Sequence, residues 1–323
     1  MTTLHYRGQA YATRESFEIQ DIVRGQVTLP THMVGDFVLI RSNGMPVYNF
    51  CCVIDDFIMK ITHVFRGEEH LSNTLRQLMI YDAFGWAAPH MGHLSMILDE
   101  QRKKLSKRSG AVSCGEFRAM GYLPEAVLNA IVLLGWTHPD QKEVLTMSEM
   151  ISAFNPEKMH ASAAIFDRKK LDWLNQQHMR RLSPDALMAQ MIDRDESLGT
   201  MIPEEADWRQ AAATLIQKDC VTLIDAGAQI HFLLGPWEAD QEALAVMAWP
   251  SYPVVVQCWL DCLNHIDDPQ LNEAVFSSMM SDIKSRTNCK GKDLFMPLRV
   301  AMMGRAHGTD LKLLVRLFSK DVL

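Results

Sequence analysis

Between Ile61 and Leu98 the chain alternates between apolar runs and charged turns in an order that few folds accommodate. Ile61 to Phe65 is a short strand candidate that runs into a charged loop, Arg66-Gly67-Glu68-Glu69-His70. A helix then starts near Ser72 or Asn73, both good N-caps. It carries Leu75, Leu78, Met79 and Ala83 at helical spacing and stops at Gly85. The apolar run Leu94 to Leu98 follows as a second strand. Strand, loop, helix and strand in this order predict a βαβ-like unit, and such units bind ligands at the carboxyl ends of their strands. The second strand leads through Asp99-Glu100-Gln101-Arg102-Lys103 into Lys104-Leu105-Ser106-Lys107-Arg108, with Gly110 behind. Both charged loops follow strands and are expected to face one site. A cationic loop in that place suits a polyphosphate, because it supplies positive charge where negative charge grows as a phosphate group leaves. Taken alone, the same five residues also read as a solvated basic turn.

The flanking segments extend this pattern. Phe37 to Ile40 and Val47 to Phe50 flank Asn43-Gly44, which predicts a β-hairpin. Pro124 stands where a first helical residue belongs, and Gly135 closes the apolar run Ala126 to Leu134. Thr146 and Glu149 make a capping-box pattern ahead of Met150, Ile151 and Phe154. Leu171, Leu174 and His178 predict a further helix, with Trp173 beside them. Beyond Arg181 the pattern is helical almost throughout, punctuated by Pro184, Pro203, Pro250, Pro253 and Pro269. The expected fold class is α/β, a partial Rossmann-like half, followed by an all-α C-terminal region. Boundaries fall near residues 112, 180 and 250, which divides the chain into 1–112, 113–180, 181–250 and 251–323.

At 323 residues and 48% hydrophobic content, the chain is long and apolar enough for two or three packed domains. No run approaches the roughly 18 to 20 apolar residues of a membrane span. Met1 to Arg7 has no apolar stretch of signal-peptide type, so a soluble, cytoplasmic protein is expected. Seven cysteines, with Cys51 and Cys52 adjacent, do not make a disulfide framework. The net charge of −7 argues against indiscriminate nucleic-acid binding. It leaves room for a specific RNA met through local basic patches. One patch is Arg102, Lys103, Lys104, Lys107 and Arg108; the other is Lys284, Arg286, Lys290, Lys292, Arg299 and Arg305. Either patch also reads as a solvated face. Cys258, Cys262 and His265 stand at zinc-like spacing, yet the two cysteines lie one helical turn apart beside Trp259, Leu260 and Leu263. A buried helix face is the better reading, since a fourth ligand is not evident.

The chain resembles bacterial-type glutamyl-tRNA synthetases, which are class I aminoacyl-tRNA synthetases. The matching segments, in order, are Asp21 to Val27, Pro46-Val-Tyr-Asn-Phe50, Asp55-Asp56, Ile61-Thr-His-Val-Phe-Arg-Gly-Glu-Glu-His70 and Leu71-Ser-Asn-Thr74. They continue through Lys103-Lys-Leu-Ser-Lys-Arg108, Gly121-Tyr-Leu-Pro-Glu-Ala126 and Leu134-Gly-Trp136. Phe166-Asp167, Lys170 to Asn175 and Lys290 to Arg299 complete the set. The resemblance implies ATP-dependent attachment of glutamate to tRNA through glutamyl-adenylate. It makes Lys104, Leu105, Ser106, Lys107 and Arg108 the family's lysine signature, which closes over ATP. Lys107 is expected to meet the phosphates as pyrophosphate leaves, supported by Lys104 and Arg108. By the same resemblance Arg66 holds the amino-acid carboxylate and Tyr48 lies near the glutamate, with Glu69 and His70 lining that pocket. The C-terminal helices would bind the anticodon region of tRNA for glutamate, with Lys290, Lys292, Arg299 and Arg305 on backbone phosphates. ATP would come with Mg²⁺, and no zinc or other metal site is expected. Asp55-Asp56 invites a Mg²⁺ reading, but by the resemblance the pair caps the element after the hairpin.

One expected motif has no counterpart. The family's HIGH-type signature lies near its N-terminus, and the resemblance aligns Met1 inside the later acceptor-stem insertion. Roughly the first third of a family member is therefore expected to be missing, which would leave a sheet edge unpaired. His90-Met91-Gly92-His93 fits HxGH, but only ten residues separate His93 from Lys104, and a structural loop is expected there. Three readings stand open: a truncated synthetase inactive alone, a non-catalytic tRNA-binding module, or one half of a split enzyme completed by a separate N-terminal chain.

Overall fold

The amphipathic run after Pro46 and the helix after His70 organise the first part of the chain, as seen in a computed structural model that describes residues 3–6, 15–105, 113–235, 238–266, 271–308 and 310–318. The described residues divide into two compact units, one from 1–113 with 127–171 and the other from 114–126 with 172–323. In the first unit β1 (Leu4–Tyr6) pairs antiparallel with β4 (Phe37–Ile40), and β2 (Ser16–Asp21) pairs antiparallel with β3 (Gly25–Pro30). The Asn43-Gly44 turn forms, with Gly44 at φ 84° and Arg41 N–H donating to Met45 O at 2.9 Å. The left-handed φ is what glycine tolerates there.

The predicted second hairpin strand is not a strand. After one bridge, Ile40 to Pro46, the chain enters helix α1 (Tyr48–Ile58). A four-residue apolar run carries no periodicity of its own. What decides the matter is Val53, almost fully buried against Leu75 and Met79, which only a helix from Tyr48 delivers to that core. Asp55 and Asp56 sit in the last turn of α1, where their carbonyls accept from Met59 N–H at 2.8 Å and Ile61 N–H at 2.9 Å.

β5 (His63–Gly67) and β6 (His90–Leu94) form a parallel pair joined by α2 (Leu71–Phe84), so the βαβ unit is present. The helix starts at Leu71, one residue before Ser72 and two before Asn73, straight from a 3₁₀ turn at Glu68–His70. The predicted strand Leu94 to Leu98 is split. β6 ends at Leu94, and β7 (Ile97–Leu98) pairs in parallel with β8 (Ala164–Ile165). Met96 N–H turns away to Glu68 Oε1 at 3.2 Å, which removes it from the first ladder. His93 therefore lies in a strand and not in a loop. Among the described residues β5 and β6 make a two-stranded sheet.

Helices α3 (Cys114–Ala119), α4 (Pro124–Gly135), α5 (Met147–Ala153) and α6 (Arg168–Arg181) follow. The Thr146–Glu149 capping box forms in both directions. Trp136, Leu145 and Met150 make a small core within the first unit. The second unit continues with α7 (Pro184–Arg194), α8 (Leu198–Met201), α9 (Ala206–Asp219), α10 (Leu223–Leu234) and α11 (Gln241–Met247). It ends in α12 (Ser251–Asn264), α13 (Glu273–Thr287), α14 (Lys292–Met303) and α15 (Leu311–Leu314). Its core is continuous from Leu123 and Met179 through Trp208 and Trp259 to Leu314. Gly121 carries the turn into α4 at φ 85°, and a Cβ there would meet Ile224 N at 2.8 Å. Asn175 locks that turn, accepting from Leu123 N–H at 2.8 Å and donating to Val221 O at 2.5 Å. The α/β half followed by an all-α region is thus the observed architecture. Among the described residues no single helix is long and apolar enough to cross a membrane.

Candidate active site

The parallel strands β5 and β6 bring Arg66 and His93 side by side in register, and α2 lays Thr74 and Gln77 across them. Arg66 is half-buried. Its Nη2 donates to Thr74 Oγ1 at 2.5 Å and to Gln77 Oε1 at 2.8 Å, and its Nε points at His93 Nε2 at 3.4 Å. Two edges of the guanidinium are thereby tied to protein, and Nη1 has no hydrogen-bond partner among the described residues. A fixed cation with one free pair of N–H donors is a preorganised anion site.

The support beneath Arg66 is buried and polar. His93 and Asp21 are both shielded from solvent, and His93 Nδ1 lies 2.6 Å from Asp21 Oδ2. Asp21 Oδ1 also accepts from the backbone N–H groups of Val23 at 3.0 Å, Arg24 at 2.9 Å and His93 at 3.1 Å. Burial alone would raise the Asp21 carboxyl, but these bonds, that from the His93 ring foremost, hold it below its ordinary value. Burial pushes the His93 imidazole down; the Asp21 carboxylate opposes this, and the nearby cations Arg66 and Arg24 add to it. The pair is therefore an ionised Asp21 and a neutral His93. With the proton on Nδ1 facing Asp21, the network assigns Nε2 as an acceptor.

Around this centre the residues expected to line the pocket divide. Arg24 pairs with Glu68 and also donates from Nε to His93 O at 3.2 Å. Gln77 Nε2 donates to Asn49 Oδ1 at 3.1 Å, and Asn49 reaches Asn73 at 3.4 Å. Asn73 Nδ2 lies 3.2 Å from His70 Nδ1. The Tyr48 ring stands 5.9 Å from that of His70 and is half exposed at the start of α1. Tyr48, Arg66 and His70 are linked through Gln77, Asn49 and Asn73, with Tyr48 on a helix and not on a strand. Glu69 faces the other charged loop, where Lys104 Nζ approaches its Oε1 at 3.8 Å. Lys104 bridges to Leu98, and Leu105 N–H donates to Ile97 O at 2.9 Å, so the root of the lysine loop is anchored on β7. Ser106, Lys107 and Arg108 lie outside the described residues. Sequence reasoning gave no role to Asp21, Thr74, Gln77 or Asn49. The detectable signal was Thr74 and Gln77, polar at i and i+3 on the otherwise apolar inner side of α2.

In the second unit Lys290 is exposed in the turn between α13 and α14, and Lys292 is exposed at the start of α14. Arg305 is exposed and lies 4.1 Å over the Phe232 ring. Arg299 differs from these three. It is half-buried, and burial pushes its guanidinium pKa down against the pull of Asp310. Arg286 is engaged by Asp261 and Asp282. The Cys258, Cys262 and His265 cluster lies on α12 and at its end. Burial raises both thiols, Cys262 to about 11 with the help of Asp282, which disfavours thiolate ligands. Among the described residues no group of three or more His, Cys, Asp or Glu side chains is placed to hold a metal ion.

Comparison with known proteins gives a consistent pattern. The family model for the catalytic domain of class I tRNA synthetases (E and Q) matches residues 8–173, and that for an anticodon binding domain matches residues 181–323. A glutamate–tRNA ligase of Bdellovibrio bacteriovorus is 46% identical over 310 residues, covering 94% of this chain and 62% of the relative. A glutamate–tRNA ligase of Geobacillus stearothermophilus is 36% identical over 335 residues, covering 98% of this chain and 67% of the relative. The crystal structure of a glutamate tRNA ligase from Elizabethkingia meningosepticum, in complex with its amino acid, superposes with a TM-score of 0.82 at 29% identity. That match covers 95% of this chain and 64% of the other. The chain thus spans a little under two thirds of the length of several of these relatives.

Proposed function

This chain belongs to the glutamate–tRNA ligase family of class I tRNA synthetases, and from that premise we propose that it carries the amino-acid pocket, the lysine loop and the tRNA-binding helices of such an enzyme. The reaction is the ATP-dependent attachment of glutamate to its tRNA through glutamyl-adenylate. One observation carries the reading: Arg66 is clamped by Thr74, Gln77 and His93 with Nη1 left over for a carboxylate. Tyr48 and His70 close the same side of the pocket. Lys104 and Arg108 flank Lys107, which neutralises pyrophosphate as it leaves. Such loops work by positioning and charge, so no protein group need form a covalent bond to substrate. Mg²⁺ would enter with ATP, held chiefly by the phosphates.

The remaining assignments follow the same reading. Residues 1–112 make the catalytic part with the end of the acceptor-stem insertion, and 113–180 contact the tRNA stem. Residues 181–250 and 251–323 form two anticodon-binding subdomains. Lys290, Lys292 and Arg305 meet RNA phosphates, and Arg299 serves packing more than contact because it is half-buried. The protein works in the cytoplasm, with glutamate, ATP and tRNA as its partners.

Glutamate-dependent ATP–pyrophosphate exchange by the purified chain tests this directly. Exchange that falls about 100-fold in Lys107→Ala supports the full reading. No exchange, together with salt-dependent binding of tRNA for glutamate, turns the chain into a tRNA-binding module. Exchange appearing only with a separate chain that bears a HIGH-type signature makes it half of a split enzyme. Neither exchange nor tRNA binding overturns all three.

A further inference from the structure

The polar contacts under Arg66 branch to Gln77 and His70, and one branch continues inward to a buried carboxylate. Arg66 Nη2–H donates to Thr74 Oγ1 at 2.5 Å. Thr74 has one proton and two acceptors within reach, His93 Nε2 at 2.8 Å and His70 O at 3.1 Å, and Nε2 is the nearer. His93 has its own proton on Nδ1, directed to Asp21 Oδ2 at 2.6 Å. The carboxylate of Asp21 is fixed in turn by three backbone N–H donors. Guanidinium, hydroxyl, imidazole and carboxylate therefore form one chain, with each member donating to the next.

We propose that Thr74, His93 and Asp21 are a positioning relay that fixes the rotamer of Arg66 and aims its free Nη1 edge at a ligand carboxylate. The proposal rests on the reading of Arg66 as the amino-acid carboxylate contact. A hydrogen-bond chain of this kind polarises each of its members and rigidifies the last. The need for rigidity is physical. An arginine side chain carries much rotamer entropy, and a cation already held in place loses less of it on binding. The relay also depends on the neutral state of His93. The charged and titratable groups around that ring are Asp21 at the end of β2, Arg24 in the turn after it and Arg66 on β5; Thr74 on α2 closes the fourth side. A proton added to Nε2 would turn the acceptor for Thr74 into a donor and place a second positive charge 3.4 Å from Arg66 Nε.

Two pairs of variants separate positioning from mere packing. Thr74→Val keeps the shape and loses the hydroxyl, whereas Thr74→Ser keeps the hydroxyl. His93→Asn keeps a donor for Asp21 but loses the distal acceptor, whereas His93→Gln places an amide where Nε2 stood. The readouts are calorimetric binding of L-glutamate to the full chain and the solvent exchange of the Arg66 side-chain N–H resonances. Thr74→Val, His93→Asn and His93→Gln, the last by losing the donor to Asp21, should weaken glutamate about tenfold or more and speed Arg66 exchange, and Thr74→Ser should stay within about threefold of the parent. Equal Arg66 exchange in Thr74→Val and the parent overturns the proposal. If the parent binds no glutamate at all, the carboxylate reading fails, and Arg66 exchange alone still decides whether the relay positions it. Where a variant does not fold, the parent decides by its His93 ring nitrogens. An unprotonated Nε2 at neutral pH is expected, and a protonated one overturns the relay.

Discussion

Arg66→Ala is expected to abolish the glutamate binding proposed for this chain. The lost contact is a charge-assisted pair in a half-buried pocket, and truncating one partner of such a pair costs about 2–5 kcal/mol, or roughly 30-fold and upward in affinity. The variant should fold. Its former partners, Thr74, Gln77 and His93, bond to one another or to neighbours: Gln77 retains Asn49, and Thr74 retains His93 and His70 O. Calorimetric titration of L-glutamate into parent and variant checks this. Arg66→Lys should rescue little, because an ammonium cannot reach Thr74 and Gln77 and also present a second donor edge. An affinity in Arg66→Ala within threefold of the parent removes Arg66 from the site.

Asp21→Ala has the largest expected effect on folding. The substitution strands the His93 ring N–H and backbone N–H in a region shielded from water, and removes the acceptor of the partly buried Val23 and Arg24 backbone N–H groups. Breaking a buried charged cluster in this way costs about 3–5 kcal/mol. Urea unfolding read by amide exchange in β5 and β6 measures it. The same pair sets the acid sensitivity of the first unit. The ordinary imidazole value is 6.5 and His93 lies below it, so an unfolded chain takes up a proton that the folded one refuses. Stability therefore declines as pH falls below that value. Asp21 lies below its ordinary 3.8, so its contribution is complete above 3.8 and is lost only as pH falls through the lowered value. Asp21→Ala should abolish the second of these losses.

The legible parts of the fold are those whose information is local. The capping box at Thr146, the proline start at Pro124 and the helix through Leu171 and Leu174 each rest on residues within one or two turns, and each forms. The alternation from Ile61 to Leu98 likewise gives the parallel pair and its helix. Errors occur where tertiary contacts decide. Val47 to Phe50 has strand composition but is drawn into α1 by the core around Val53. Leu94 to Leu98 has strand composition throughout but changes partners at Met96, because Glu68 takes its N–H. His93 looked like a loop histidine, since nothing nearby in sequence shows that Asp21, 72 residues earlier, lies beneath it. For the site, family resemblance supplied Arg66, Tyr48 and His70. The groups that hold Arg66 became visible only once β2, β5, β6 and α2 were assembled.

Glutamate titrated into the purified chain, followed residue by residue in nuclear magnetic resonance spectra, tests the amino-acid pocket most directly. Saturable shifts confined to Arg66, Tyr48, His70, Thr74 and His93, absent with L-lysine as the control, are expected. Shifts that do not saturate, or that map to the helices beyond residue 181 and spare Arg66, contradict it.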